Sequence, residues 1–194
     1  IKISSLSELD QIYVRKWLEA QIPPLRITPN MVRKTTKESR KSFFASSSRY
    51  SRQSYDLSVD FQNNDNAKGL ETTALKYMLI GRSVNDPKKH RILSVQIEDF
   101  EVAPGGRHTV TFEREQNTYS EASSFGSYKC IGFVLRGVRK KDEREVYTFA
   151  STPQLAEALY SIVSLRERDI ADENFQPVAE RSRSLRRDNL SLIH

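Results

Sequence analysis

Alternating apolar and polar residues through the middle of the chain predict a mainly β protein, an antiparallel sandwich of six to seven strands with a helix on either side. Two further observations support that class. Clusters of Asn, Asp, Pro and Gly punctuate the alternating runs, and helical periodicity occurs only before residue 20 and after residue 152. With 194 residues, 37% apolar content, eight Tyr, nine Phe and one Trp, the chain can furnish one core of ordinary domain size.

Residues 1–22 read as an amphipathic helix. Ser7 with Asp10, and Ser5 with Glu8, have the spacing at which a hydroxyl caps the first backbone N–H groups and a carboxylate faces the positive helix end. Leu6, Leu9, Tyr13, Val14, Trp17 and Leu18 recur at intervals of three and four, giving one apolar face. Pro23-Pro24 ends it, since proline lacks the N–H and restricts its predecessor. So short a helix needs a docking surface, and Leu9, Tyr13 and Trp17 are the expected oligomer contact.

Residues 23–49 read as a basic linker. The net charge of +6 is concentrated here: residues 26–55 carry Arg26, Arg33, Lys34, Lys37, Arg40, Lys41, Arg49 and Arg52 against a single acid, Glu38. Arg33, Lys34, Lys37, Arg40 and Lys41 are the candidate contacts for an anionic partner, with Phe43, Phe44 and Tyr50 interleaved. No RNP, KH or helix-turn-helix pattern accompanies them, which weighs against nucleic acid.

Residues 50–151 carry the predicted sandwich. Tyr55, Leu57, Val59 and Phe61 alternate with polar residues, and the 63–69 cluster turns the chain. Residues 72–84 form a strand apolar on both faces near Tyr77 to Ile80. Residues 85–89 turn again, and Leu93, Val95 and Ile97 alternate, with Phe100 and Val102 in opposite phase, predicting a bulge or a bend at Glu98-Asp99. Pro104-Gly105-Gly106 leads into a strand at 108–112, residues 114–127 read as a polar loop, and strands at 128–138 and 146–149 make a last hairpin. Residues 152–169 read as a second amphipathic helix, capped by Thr152 with Pro153 at its first position. Residues 170–194 lose periodicity and read as an extended tail that either serves oligomer contacts, the preferred reading, or packs on its own domain.

The words Leu6-Ser7-x-x-Asp10-x-x-Tyr13-Val14, with Trp17 following, resemble the C-terminal end of an SHD1-type module, a small β-barrel of secreted planctomycete and verrucomicrobial proteins. The resemblance covers about a tenth of the chain. It implies that the chain begins inside such a module and that the protein is secreted, periplasmic or at the cell surface. Tyr128-Lys129-Cys130 has the Tyr-x-Cys spacing of strand F in immunoglobulin domains, which favours an immunoglobulin-like sandwich, with a jelly roll or small barrel as the alternatives. Cys130 is the single cysteine and Trp17 lies far from the strand-C position, so the antibody-type disulfide and tryptophan pin are missing. The chain looks like the immunoglobulin-like surface or pilus-associated proteins of those bacteria. Composition by itself fits a cytoplasmic protein equally well.

No catalytic constellation is found. His90, His108 and His194 lack metal-pair spacing, and His90 and His108 read as solvated. Cys130 reads as an inert buried thiol. Asn63, Asn64, Asp65 and Asn66 offer oxygen donors but not the offsets of an EF-hand, and read as a turn. The expectation is a non-enzymatic structural or adhesive component of the envelope, without cofactor or metal. It would act as a homo-oligomer and through envelope or pilus proteins, with no membrane-spanning segment. Nucleic-acid binding through 26–55 is one alternative. A carbohydrate-binding sandwich using Tyr119, Phe125 and Tyr128 is another.

Overall fold

The computed structural model describes residues 7–19, 22–40, 48–120 and 127–178. Helix α1 (Glu8–Glu19) precedes strands β1 (Leu25–Arg40), β2 (Ser48–Asn63), β3 (Leu70–Ser83), β4 (His90–Val102), β5 (Arg107–Thr111), β6 (Glu115–Tyr119), β7 (Tyr128–Arg139) and β8 (Arg144–Ala150). Short helices α2 (Pro153–Glu157) and α3 (Leu159–Ser164) follow, and then β9 (Ile170–Ala171). The protein is mainly β, and every strand pairing is antiparallel.

An outer sheet runs β1-β2-β5, with β6 also on β2; a central sheet runs β8-β7-β3-β4-β9. Strand β2 is long enough to hold two successive neighbours, pairing β5 through 58–62 and β6 through 51–55. The sheets face each other across one core. Tyr55, Leu57, Val59 and Phe61 of β2 meet Leu75, Tyr77 and Leu79 of β3, Phe100 and Val102 of β4, and Phe133 and Leu135 of β7. The period-2 pattern of β2 is therefore a strand with one wet face.

The central sheet is covered on its other face as well. Met78, Ile80, Ile92 and Val134 pack against Leu155, Ile162, Leu165, Ala171 and Phe175. This second core explains why β3 is apolar on both faces, a run of five buried residues from Tyr77 to Gly81. Thr152 caps α2 by accepting from Leu155 N at 3.4 Å, and Lys76 Nζ donates to the Val163 carbonyl at 2.8 Å, tying β3 to the end of α3. Gly132 allows the close approach: a Cβ there would lie 2.3 Å from Ser151 Oγ and 2.8 Å from Leu155 Cδ1.

Several sequence expectations need correction. The basic linker is in large part a strand, since 25–40 pairs residue for residue with 48–63. The charges of Arg26, Arg33, Lys34 and Lys37 lie on the strand that ends the sheet, where solvent satisfies them without disturbing the ladder. The polar loop after Arg114 contains β6. The second helix is two short ones separated at Ala158, whose φ of −101° and ψ of 10° leave the helical region. The start of the tail is structured: β9 pairs with β4, and Phe175 is buried. The phase change in β4 falls at Leu93, where the register with β3 slips between Leu79 and Ile80, and not at Glu98-Asp99. Leu93 packs on the core between the sheets and Val95 on the second core, while Ile97 is exposed.

Candidate functional site

The cap of α1 forms as its sequence dictates. Ser7 Oγ accepts from Asp10 N at 3.3 Å and donates to Asp10 Oδ2 at 2.6 Å. The apolar face that follows is uncovered: Leu9, Tyr13 and Trp17 are 79%, 73% and 56% exposed, and Ile12 is exposed beside them. Trp17 borders a hollow of about 650 Å³ with Lys68, Gly69, Glu71, Arg139, Lys141 and Asp142. The polar wall of that hollow is fixed by ion pairs. Arg139 is buried and donates through Nε and Nη2 to the two Asp142 carboxylate oxygens at 2.9 and 2.5 Å, and Lys141 pairs with Glu71 at 2.9 Å. The Arg139 guanidinium holds the Asp142 carboxyl below the usual carboxylate range.

The basic candidates divide along β1. In its first half Leu25, Ile27 and Met31 pack on the core between the sheets. Beyond Met31 the strand leaves that core: Val32, Arg33, Lys34 and Lys37 are all exposed. Alternation places Arg33 and Lys37 in the phase of Met31 and puts Lys34 on the opposite face, while the side chain of Arg40 lies outside the described residues. Four of the five, Arg33, Lys34, Lys37 and Arg40, thus lie along one strand, and Arg33, Lys34 and Lys37 do not share one face. Lys41, Phe43 and Phe44 lie outside the described residues, as does the side chain of Tyr50. Tyr55 is buried, and burial pushes its hydroxyl well above the ordinary tyrosine range.

The chemical candidates have structural duties. Asn63 Nδ2 donates to the Lys68 and Ala103 carbonyls at 2.6 and 3.1 Å. Asp65 Oδ1 accepts from Ala67 N and Lys68 N at 2.8 and 3.0 Å, and its carboxyl is lowered by those bonds. The oxygen-rich 63–66 segment is thus committed to its turn. His90 is buried, contrary to expectation: its ring lies 4.4 Å from Phe175 between centroids, with Nδ1 3.0 Å from the Asp172 carbonyl. His108 is exposed and stacks on Phe100. Cys130 is buried, and burial pushes its thiol up. Among the described residues no three His, Cys, Asp or Glu side chains are placed to hold a metal ion. No helix among them is long and apolar enough to cross a membrane.

The aromatic cluster proposed for carbohydrate does not present open faces. Tyr119 and Tyr128 are buried, with the Arg91 guanidinium 5.4 Å over the Tyr128 ring and Lys129 Nζ 6.0 Å over that of Tyr119. Phe125 lies outside the described residues.

The uncovered face of α1 and the exposed half of β1 were both visible in the sequence, one as an apolar stripe and the other as a charge cluster. The strand character of β1 was masked by its charges. No family model matches the chain, and no curated protein matches it. Among solved structures it is similar to a crystallised protein from Akkermansia muciniphila, with a TM-score of 0.29 and 7% identity over 70% of this chain and 76% of that one. A likeness at that level bears on neither fold nor function.

Proposed function

We propose that the chain is a non-catalytic structural or adhesive module of the bacterial cell envelope, pilus-associated, working through protein contacts and self-association. The observation that carries this reading is the uncovered apolar face of α1. Three large side chains, Leu9, Tyr13 and Trp17, stand in water on one helix face, and burying them against a partner would remove a substantial apolar area from solvent. The envelope placement is supported by the resemblance of residues 6–17 to the end of an SHD1-type module. An immunoglobulin-like identity for the sandwich belongs to the same reading. Two antiparallel sheets around one core and Tyr128-x-Cys130 at the start of β7 support it.

Light scattering behind size-exclusion chromatography tests the proposal on the full chain at tens of micromolar. The expected result is an oligomer that shifts toward monomer in the Leu9→Ser/Tyr13→Ser/Trp17→Ser variant, with its thermal unfolding unchanged. A monomeric parent chain that the triple substitution leaves as it is would overturn self-association through α1.

A further inference from the structure

The free edge of β1 has a definite polarity of hydrogen-bonding groups. Asn64 N donates to the Pro24 carbonyl at 3.0 Å, and the register continues with Leu25 opposite Asn63. In an antiparallel ladder alternate residues point their N–H and C=O to the same side. The even residues of β1 therefore bond to β2, and the odd ones face away from the sheet. Strand β2 agrees, since its odd residues serve the other neighbour: Asn63 N donates to Gly106 O at 2.9 Å, and Leu57 O accepts from Phe112 N at 3.0 Å. Among the described residues nothing pairs with the outward side of β1, which ends its sheet.

Pro29 falls on the outward phase and removes one donor from the middle of that edge. Beyond it, residues 31–40 offer the outward N–H and C=O groups of Met31, Arg33, Thr35, Lys37 and Ser39 without interruption, over roughly 33 Å at about 3.3 Å per residue. The same stretch carries Arg33, Lys34, Lys37 and Arg40 against Glu38 alone. The ion pairs of the described residues lie elsewhere and involve none of Arg33, Lys34 and Lys37.

We infer that the 31–40 edge of β1 is a strand-addition site for an extended, acidic segment of another protein. The inference rests on the protein-binding reading above but uses a surface separate from α1. Backbone pairing supplies register, and cross-strand carboxylates opposite Arg33, Lys34 and Lys37 supply selectivity. A second copy of the chain fits poorly: two β1 edges pairing antiparallel about a twofold axis would set these cations against each other. A polyanion such as duplex DNA would meet the charge and could accept from the N–H groups, but its phosphate backbone has no donors for the outward carbonyls that alternate with them.

The test is selection of ten-residue peptides from a fully randomised display library on the full chain, followed by fluorescence anisotropy on an enriched peptide. Enriched sequences are expected to be free of proline and to place Asp or Glu at two positions four apart, facing Arg33 and Lys37, and at the position beside one of them that faces Lys34. Thr35→Pro, on the same phase as the native Pro29, is expected to weaken binding by about tenfold or more while the melting temperature holds. Arg33→Glu/Lys37→Glu should do the same, and N-methylation of alternate peptide residues should abolish binding whether or not Thr35→Pro folds. Enrichment without acids, binding indifferent to N-methylation, or tighter retention of duplex DNA that ignores Thr35→Pro would each overturn the inference. Loss of self-association in Thr35→Pro would assign the edge to a second copy and overturn it too. None of these results touches the α1 triple variant, so the two readings fail separately.

Discussion

The two sheets solve the problem of burial differently. The central sheet is sealed on both faces, by the outer sheet on one side and by α2, α3 and the β9 region on the other. The outer sheet is sealed on one face only, and its other face carries polar pairs such as Thr109 with Asp60 at 2.7 Å and Arg114 with Asp56 at 2.6 Å. A strand buried on both faces is committed to the fold. A strand wet on one face and open along an edge retains surface for other work, and in this chain that strand is β1.

The sharpest way to break the comparison is to hollow out the second core. Met78→Ala and Leu155→Ala remove fully buried side chains, and each should cost about 2–5 kcal/mol, as much as Leu57→Ala in the first core. Urea denaturation measures all three. If the first two cost less than about 1 kcal/mol, the helices are an appendage and the central sheet is no more committed than the outer one.

A middling effect is expected where the end of the central sheet meets solvent. Asp142→Asn removes the anion that Arg139 holds by two hydrogen bonds, and should cost about 1–3 kcal/mol. Because the folded carboxyl is held below its ordinary value, its contribution is complete above that ordinary value. It is lost as pH falls through the lowered one. Melting temperatures between about pH 5 and pH 2 should therefore fall more steeply for the parent chain than for Asp142→Asn. Parallel curves would show that the pair does not support folding.

The smallest effect belongs to the wet sheet. Val32→Thr, on an exposed β1 position, should change stability by no more than about 0.5 kcal/mol. A loss above about 1 kcal/mol by the same urea measurement would mean that this part of β1 is packed against something after all.

This division also decides what could be read from residues alone. The double-faced run at Tyr77–Ile80 announced that β3 is covered twice, although it could not say by what. The alternation through Tyr55, Leu57, Val59 and Phe61 announced a one-sided strand. β1 escaped because its second half has no apolar periodicity left: past Met31 it is held by backbone bonds to β2, and Arg33, Lys34 and Lys37 are indistinguishable in composition from a solvated linker. Phe175 and His90 escaped for another reason. Their contact joins residues far apart in the chain through a two-residue strand, and so short a strand leaves no pattern.

The long β1–β2 ladder also determines how the domain would bear load. Force arriving through α1 enters at Leu25, the residue opposite Asn63, at one end of a 16-residue strand. Pulled along its own axis, β1 resists in shear, with all its cross-strand bonds strained together. Pulled sideways, it unzips from Leu25 one pair at a time. The same ladder is a clamp in one direction and a release strip in the other.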